Sequence, residues 1–170
     1  MSARQAMPSD YEQALEKIKA QIKFSQIKAA VSVNRELVML YWNIGREILQ
    51  RQQNQGWGAK VIQRLSKDLS SAFPDMKGFS RTNLLYMRAF AEAYPELQIV
   101  QQLVGQIPWG HNVRILDAVK DPEERLWYVR QTIENGWSRN VLMIQLKGKL
   151  FQRQGKAVTN FEATLPARGY

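Results

Sequence analysis

No proline interrupts residues 9–73, and the first glycine is Gly45. Proline and glycine are the usual breakers of a helix, so this stretch is permissive for long helical segments. Its apolar residues agree. Tyr11, Leu15, Ile18 and Ile22 recur at spacings of four, three and four, and Val33, Leu37, Leu40, Ile44 and Ile48 continue the pattern. Ser9 or Asp10, after Pro8, can cap the start. A single straight helix over residues 10–52 would be about 60 Å long, beyond the diameter of a small domain. The spacing therefore predicts a break near Phe24–Gln26, with a coiled-coil helix packed on a partner as the alternative. The small residues Ala29, Ala30 and Ser32 permit close packing in either case.

The rest of the chain also reads as helix. After Gln55-Gly56-Trp57-Gly58, a helix is expected over residues 59–73, with Val61, Ile62, Leu65, Leu69 and Phe73 inside. Pro74 to Gly78 form a turn, and Ser80 caps a helix that ends at Tyr94-Pro95. Short helices follow over 97–106 and 112–119. Asp121-Pro122-Glu123-Glu124 is a helix start, with a cap, proline in the first position and acids in the first turn. Gly136 stops that helix, and Ser138 caps the last, which closes at Gly155. The expected fold is all-α, a single compact multi-helix domain over residues 10–155. Residues 1–9 are expected to be disordered. The tail, 156–170, is expected to be extended, with at most one short strand around 157–161.

Composition narrows the function. The chain has 170 residues and no cysteine, which excludes disulfides, thiolate metal sites and a cysteine nucleophile and suits a reducing cytoplasm. No segment is apolar enough to span a membrane, and the N-terminus has no secretory h-region. The formal net charge is +9, which favours polyanionic partners. Six basic and two acidic residues fall in 60–90, and six basic and one acidic in 139–170. Residues 91–138 carry four basic and seven acidic groups.

The two basic segments supply the candidate site. Helices over 59–73 and 80–94, joined by a glycine-containing turn, resemble a helix-turn-helix unit, although the connection is longer than usual. The start of the second helix presents Arg81, Thr82 and Asn83, with Arg88 two turns on. Arginine and asparagine match guanine and adenine edges in the major groove. In the last helix and tail, Arg139, Asn140, Lys147, Lys149, Arg153 and Lys156 can neutralise phosphates without reading sequence. Five tryptophans (Trp42, Trp57, Trp109, Trp127 and Trp137) are assigned to the core and to helix corners. His111 is the sole histidine and is read as a local cap. With one histidine, no phosphate loop and no strand pair carrying acidic residues, no cofactor, metal or small-molecule substrate is expected.

Ordered multi-residue matches identify a family. Leu40-Tyr41-Trp42-Asn43-Ile44-Gly45, Leu65-Ser66-Lys67-Asp68-Leu69, Gly78-Phe79-Ser80, Pro108-Trp109-Gly110-His111-Asn112 and Gly136-Trp137-Ser138-Arg139 resemble the N-terminal domain of YhcG-like bacterial proteins. The resemblance spans residues 11–166. It implies a winged-helix-like module that binds nucleic acid or a protein partner, and that precedes a PD-(D/E)XK-type nuclease domain lying outside this chain. No catalytic residue carries over. Two functions stay open: a non-catalytic domain that targets a nuclease to nucleic acid, duplex DNA first, or a protein-interaction module of a nuclease or restriction-type system, which forms a homodimer through residues 10–52 or docks onto a partner such as a restriction-system subunit.

Overall fold

The computed structural model describes residues 11–154. The expected cap at Ser9 or Asp10, the disordered N-terminus, the tail strand and Lys156 lie outside them. Within these residues the chain forms α1 (Tyr11–Gln55), α2 (Ala59–Ala72), α3 (Arg81–Ala93), α4 (Leu97–Gln102), a 3-10 turn (Val104–Gln106), α5 (Trp109–Ala118), α6 (Pro122–Asn135) and α7 (Arg139–Lys147). Residues 150–154 are again helical. No strand occurs among the described residues, so the fold is all-α.

The expected break at Phe24–Gln26 does not occur: α1 is continuous over Tyr11–Gln55. Residues 12–44 contain neither glycine nor proline, and Ala, Lys, Glu and Gln fill much of the run. Each added residue then gains a backbone hydrogen bond, with no local feature to stop propagation. The helix ends at Gly56, whose φ of 65° is left-handed and accessible to glycine at little cost.

The chain divides into two units, residues 1–33 and 34–170. In the first, the described helix has a strongly solvent-exposed surface, and Phe24 at 71% and Ile27 at 65% expose most of their side chains.

The second unit holds two apolar cores. Val38 and Trp42 pack with Phe90, Ala91, Tyr94, Val100, Val104, Ile115, Tyr128, Val129 and Leu142 in the larger one. Tyr41, Ile48, Ile62, Phe79, Leu84 and Met87 form the smaller. Trp42 is buried and donates its indole N–H to the Tyr94 carbonyl at 2.7 Å. Removing such a ring typically costs about 3–5 kcal/mol. Trp109 packs against both cores, edge-on to Tyr41 at 4.9 Å and to Phe90 at 5.1 Å. Trp57, Trp127 and Trp137 pack at the margins of the same cores.

Gly45 sits mid-helix because α1 and α3 approach there: a Cβ would overlap the Met87 carbonyl. Side-chain caps start three helices. Ser80 accepts from the Asn83 N–H, Asp121 from Glu124, and Ser138 from Val141. The helix expected at 112–119 begins earlier, at Trp109, directly after Pro108. His111 is therefore inside the first turn of α5 and is not its cap. It is buried, and its Nε2 donates to the Trp137 carbonyl at 2.9 Å, tying α5 to the α6–α7 turn.

Candidate nucleic-acid interface

The starts of α3, α5 and α7 meet at one side of the second unit. Between them lies a cleft of about 410 Å³, lined by Lys77, Ser80, Thr82, Asn83, Tyr86, Trp109, Gly110, Val113, Arg114, Asp117 and Arg139. A second hollow, with Pro108, Gly110, His111, Ser138 and Asn140, shares Gly110 and Arg139 with it. A third, with Ala118, Met143, Leu146 and Lys147, shares Arg114 and Asp117. The three hollows adjoin through these shared residues, and together they form a groove with Lys77, Arg114, Arg139 and Lys147 as its basic side chains.

Helical spacing explains which residues reach it. On α5, Gly110, Val113, Arg114 and Asp117 occupy one face, while Ile115 and Leu116 point into the core. On α7, Arg139, Met143 and Lys147 repeat every four residues. Lys77, Arg114, Arg139 and Lys147 are all exposed, and none forms an ion pair among the described residues, where the four pairs are Lys19–Glu16, Arg51–Glu47, Arg64–Asp68 and Arg88–Glu92. Asp117 is the one acid in the lining. Both its oxygens accept from the Tyr86 hydroxyl, at 3.0 and 2.8 Å. That hydrogen bond, ahead of burial, raises the Tyr86 pKa.

Of the residues singled out from sequence, Asn83, Arg139, Asn140 and Lys147 line this groove. The Asn83 amide is engaged at both ends. Its Nδ2 donates to the Gly78 carbonyl at 2.6 Å, and its Oδ1 accepts from Trp109 Nε1 at 2.8 Å. Arg81 is exposed at the first position of α3, outside the lining. Arg88 is half-buried and lies 4.0 Å from Glu92. Lys149 and Arg153 follow the end of α7, and Arg153 Nε donates to the Gly148 carbonyl at 2.7 Å. Neither lines the groove.

Lys77 and Arg114 were not singled out from sequence. Arg114 stands in the net-acidic segment, where averaging charge along the chain hides it. A helical-face reading of α5 would have set it on the face of Gly110, Val113 and Asp117, away from the core.

Charge order along the helices is unusual. The helix N-terminus carries partial positive charge and favours acids, as α6 provides with Glu123 and Glu124. By contrast α2, α3 and α7 have no acid in the first turn and instead carry Lys60, Arg81 and Arg139 there. Each such cation opposes the helix dipole.

Residues 17–153 match the family model described as the DUF1016 N-terminal domain. The chain belongs to that family. A DUF1016 N-terminal domain thus accounts for most of the described fold. The chain is also 26% identical, over 185 aligned residues, to the protein named "Putative nuclease YhcG" of Escherichia coli (strain K12), covering 89% of this chain and 48% of that relative. It spans about half the relative's length. No solved structure matches. Among the described residues of this DUF1016 domain, no group of three or more His, Cys, Asp or Glu could hold a metal ion, and no helix is long and apolar enough to cross a membrane.

Proposed function

We propose that this domain binds nucleic acid, duplex DNA first, and acts without chemistry of its own as the targeting part of a cytoplasmic nuclease. One observation carries the reading: Lys77, Arg114, Arg139 and Lys147 line adjoining hollows beside the starts of α3, α5 and α7, and none forms an ion pair among the described residues. Exposed cations on one side of the unit neutralise phosphates, and backbone N–H groups at the helix starts add donors. In this reading Asn83 is a positioning residue that holds the α3 start against α5. Arg81, with its exposed side chain, reaches base edges beyond the groove in the manner of a helix-turn-helix second helix. The relative named "Putative nuclease YhcG" supports the association with a nuclease.

Fluorescence anisotropy with a labelled duplex at two salt concentrations tests the proposal. Four neutralised phosphates give a slope of log K against log salt of about −3.5, or about hundredfold weaker binding between about 50 and 200 mM salt. No binding at low salt, or binding indifferent to salt, overturns it.

A second reading is a homodimer through α1. It is favoured by the exposed Ile22, Phe24, Ile27, Val31 and Val33, apolar side chains that a soluble helix seldom leaves in water together. Sedimentation of the intact chain tests it: a dimer at micromolar concentration is the expected result, and a monomer throughout rejects it.

A further inference from the structure

We infer that the nucleic-acid track continues beyond the groove onto the outward face of α2, a second contact for the phosphodiester backbone. This rests on the groove reading above. Lys60, Gln63, Arg64, Ser66, Lys67 and Ser70 line a shallow hollow of about 460 Å³. Lys60, Gln63, Arg64 and Lys67 recur at three- and four-residue spacing and form one helix face. The other face is occupied by Ile62, Leu65 and Leu69, packed in the smaller core.

The charge on this face is not balanced. Arg64 pairs with Asp68 at 3.1 Å, but Lys60 and Lys67 have no acid partner among the described residues. Elsewhere, by comparison, Arg51 on α1 is held by Glu47 at 2.9 Å. Lys60 also stands in the first turn of α2, where helix stability favours an acid. An anion resolves both conflicts.

The face is continuous with the groove. Ser66 Oγ donates to the Phe79 carbonyl at 2.6 Å, and the neighbouring Ser80 and Lys77 line the cleft. Only the short turn between Lys77 and Ser80 separates the two basic surfaces. A stiff polyanion leaving the groove past Lys77 therefore meets α2 next. The preceding helix of a helix–turn–helix pair crosses the backbone in the same sense.

The test uses the full chain and a duplex DNA of about 30 base pairs, three helical turns. Lys60→Ala/Lys67→Ala removes two exposed cations while keeping helix propensity, so the melting temperature holds. The slope of log K against log salt falls by about 1.8, and affinity at moderate salt falls at least about tenfold. Lys60→Arg/Lys67→Arg, which keeps the charge, binds like the parent. An unchanged slope in the alanine variant, while Arg139→Ala lowers it, overturns the α2 contact and leaves the groove standing. A parent protein that binds no duplex overturns both.

Discussion

Trp109 Nε1 donates to Asn83 Oδ1 at 2.8 Å, so the start of α5 holds the start of α3 through a side-chain amide whose other end grips Gly78. Asn83→Ala breaks both bonds and strands the half-buried Trp109 N–H. We expect a loss of about 2–3 kcal/mol, read by urea unfolding. Asn83→Asp keeps the acceptor but loses the donor to Gly78, and falls between. A destabilisation below about 0.5 kcal/mol for Asn83→Ala would show that the amide supports nothing.

Arg139 stands at the first position of α7, against the helix dipole. Arg139→Glu reverses that sign and is expected to stabilise the fold by about 0.3–1 kcal/mol while reducing duplex binding at least about tenfold. Stability and binding then move in opposite directions, as is common where function retains an unfavourable charge. Thermal melts paired with anisotropy check this, and a variant that is more stable yet binds unchanged removes Arg139 from the interface.

Gly45 is the point where α1 touches the α3 backbone at Met87. On an open helix, Gly→Ala gains about 1 kcal/mol. Here the methyl group meets the Met87 carbonyl, and Gly45→Ala is expected to cost about 3 kcal/mol. The sign of the change is the test. A stabilised Gly45→Ala protein contradicts the close approach of α1 and α3.

Burial pushes the Tyr94 hydroxyl up to about 12, with Arg125 pulling slightly the other way. The neutral phenol is thus favoured in the fold. Its contribution is complete below pH 10 and is lost as pH rises through about 12. The loss amounts to roughly 2–3 kcal/mol. The Tyr94 hydroxyl also has no hydrogen-bond partner among the described residues. Tyr94→Phe should therefore be neutral or stabilising near pH 8 and should flatten the alkaline limb of a stability–pH curve. An unchanged alkaline limb would reject the role of Tyr94 in it.

The elements were largely legible because helix starts and stops are local events. Asp121-Pro122 and Gly136 bound α6 as their chemistry dictates, and Ser80 and Ser138 cap α3 and α7. The error in α1 came from the opposite direction: a global expectation of compactness was set against a local run with no breaker, and the local run prevailed. At α5, Pro108 offered a start three residues before the expected one.

The groove was only half legible. Arg139 and Lys147 stood out because they share a basic segment and one face of a helix. Asn83 was singled out for its amide, but the Trp109 partner that engages it lies 26 residues away. Arg114 was hidden by acidic neighbours in sequence that are not all its neighbours in space.

From residue order alone came the all-helical fold, the caps and the basic excess, because spacing, propensity and charge act within a few residues of themselves. Only folding decided that Lys77, Arg114, Arg139 and Lys147 share one groove. Lys77 precedes α3, Arg114 is on α5, and Arg139 and Lys147 are on α7, so the packing of α3 and α7 on α5 brings these three segments together. No period along the chain records that packing.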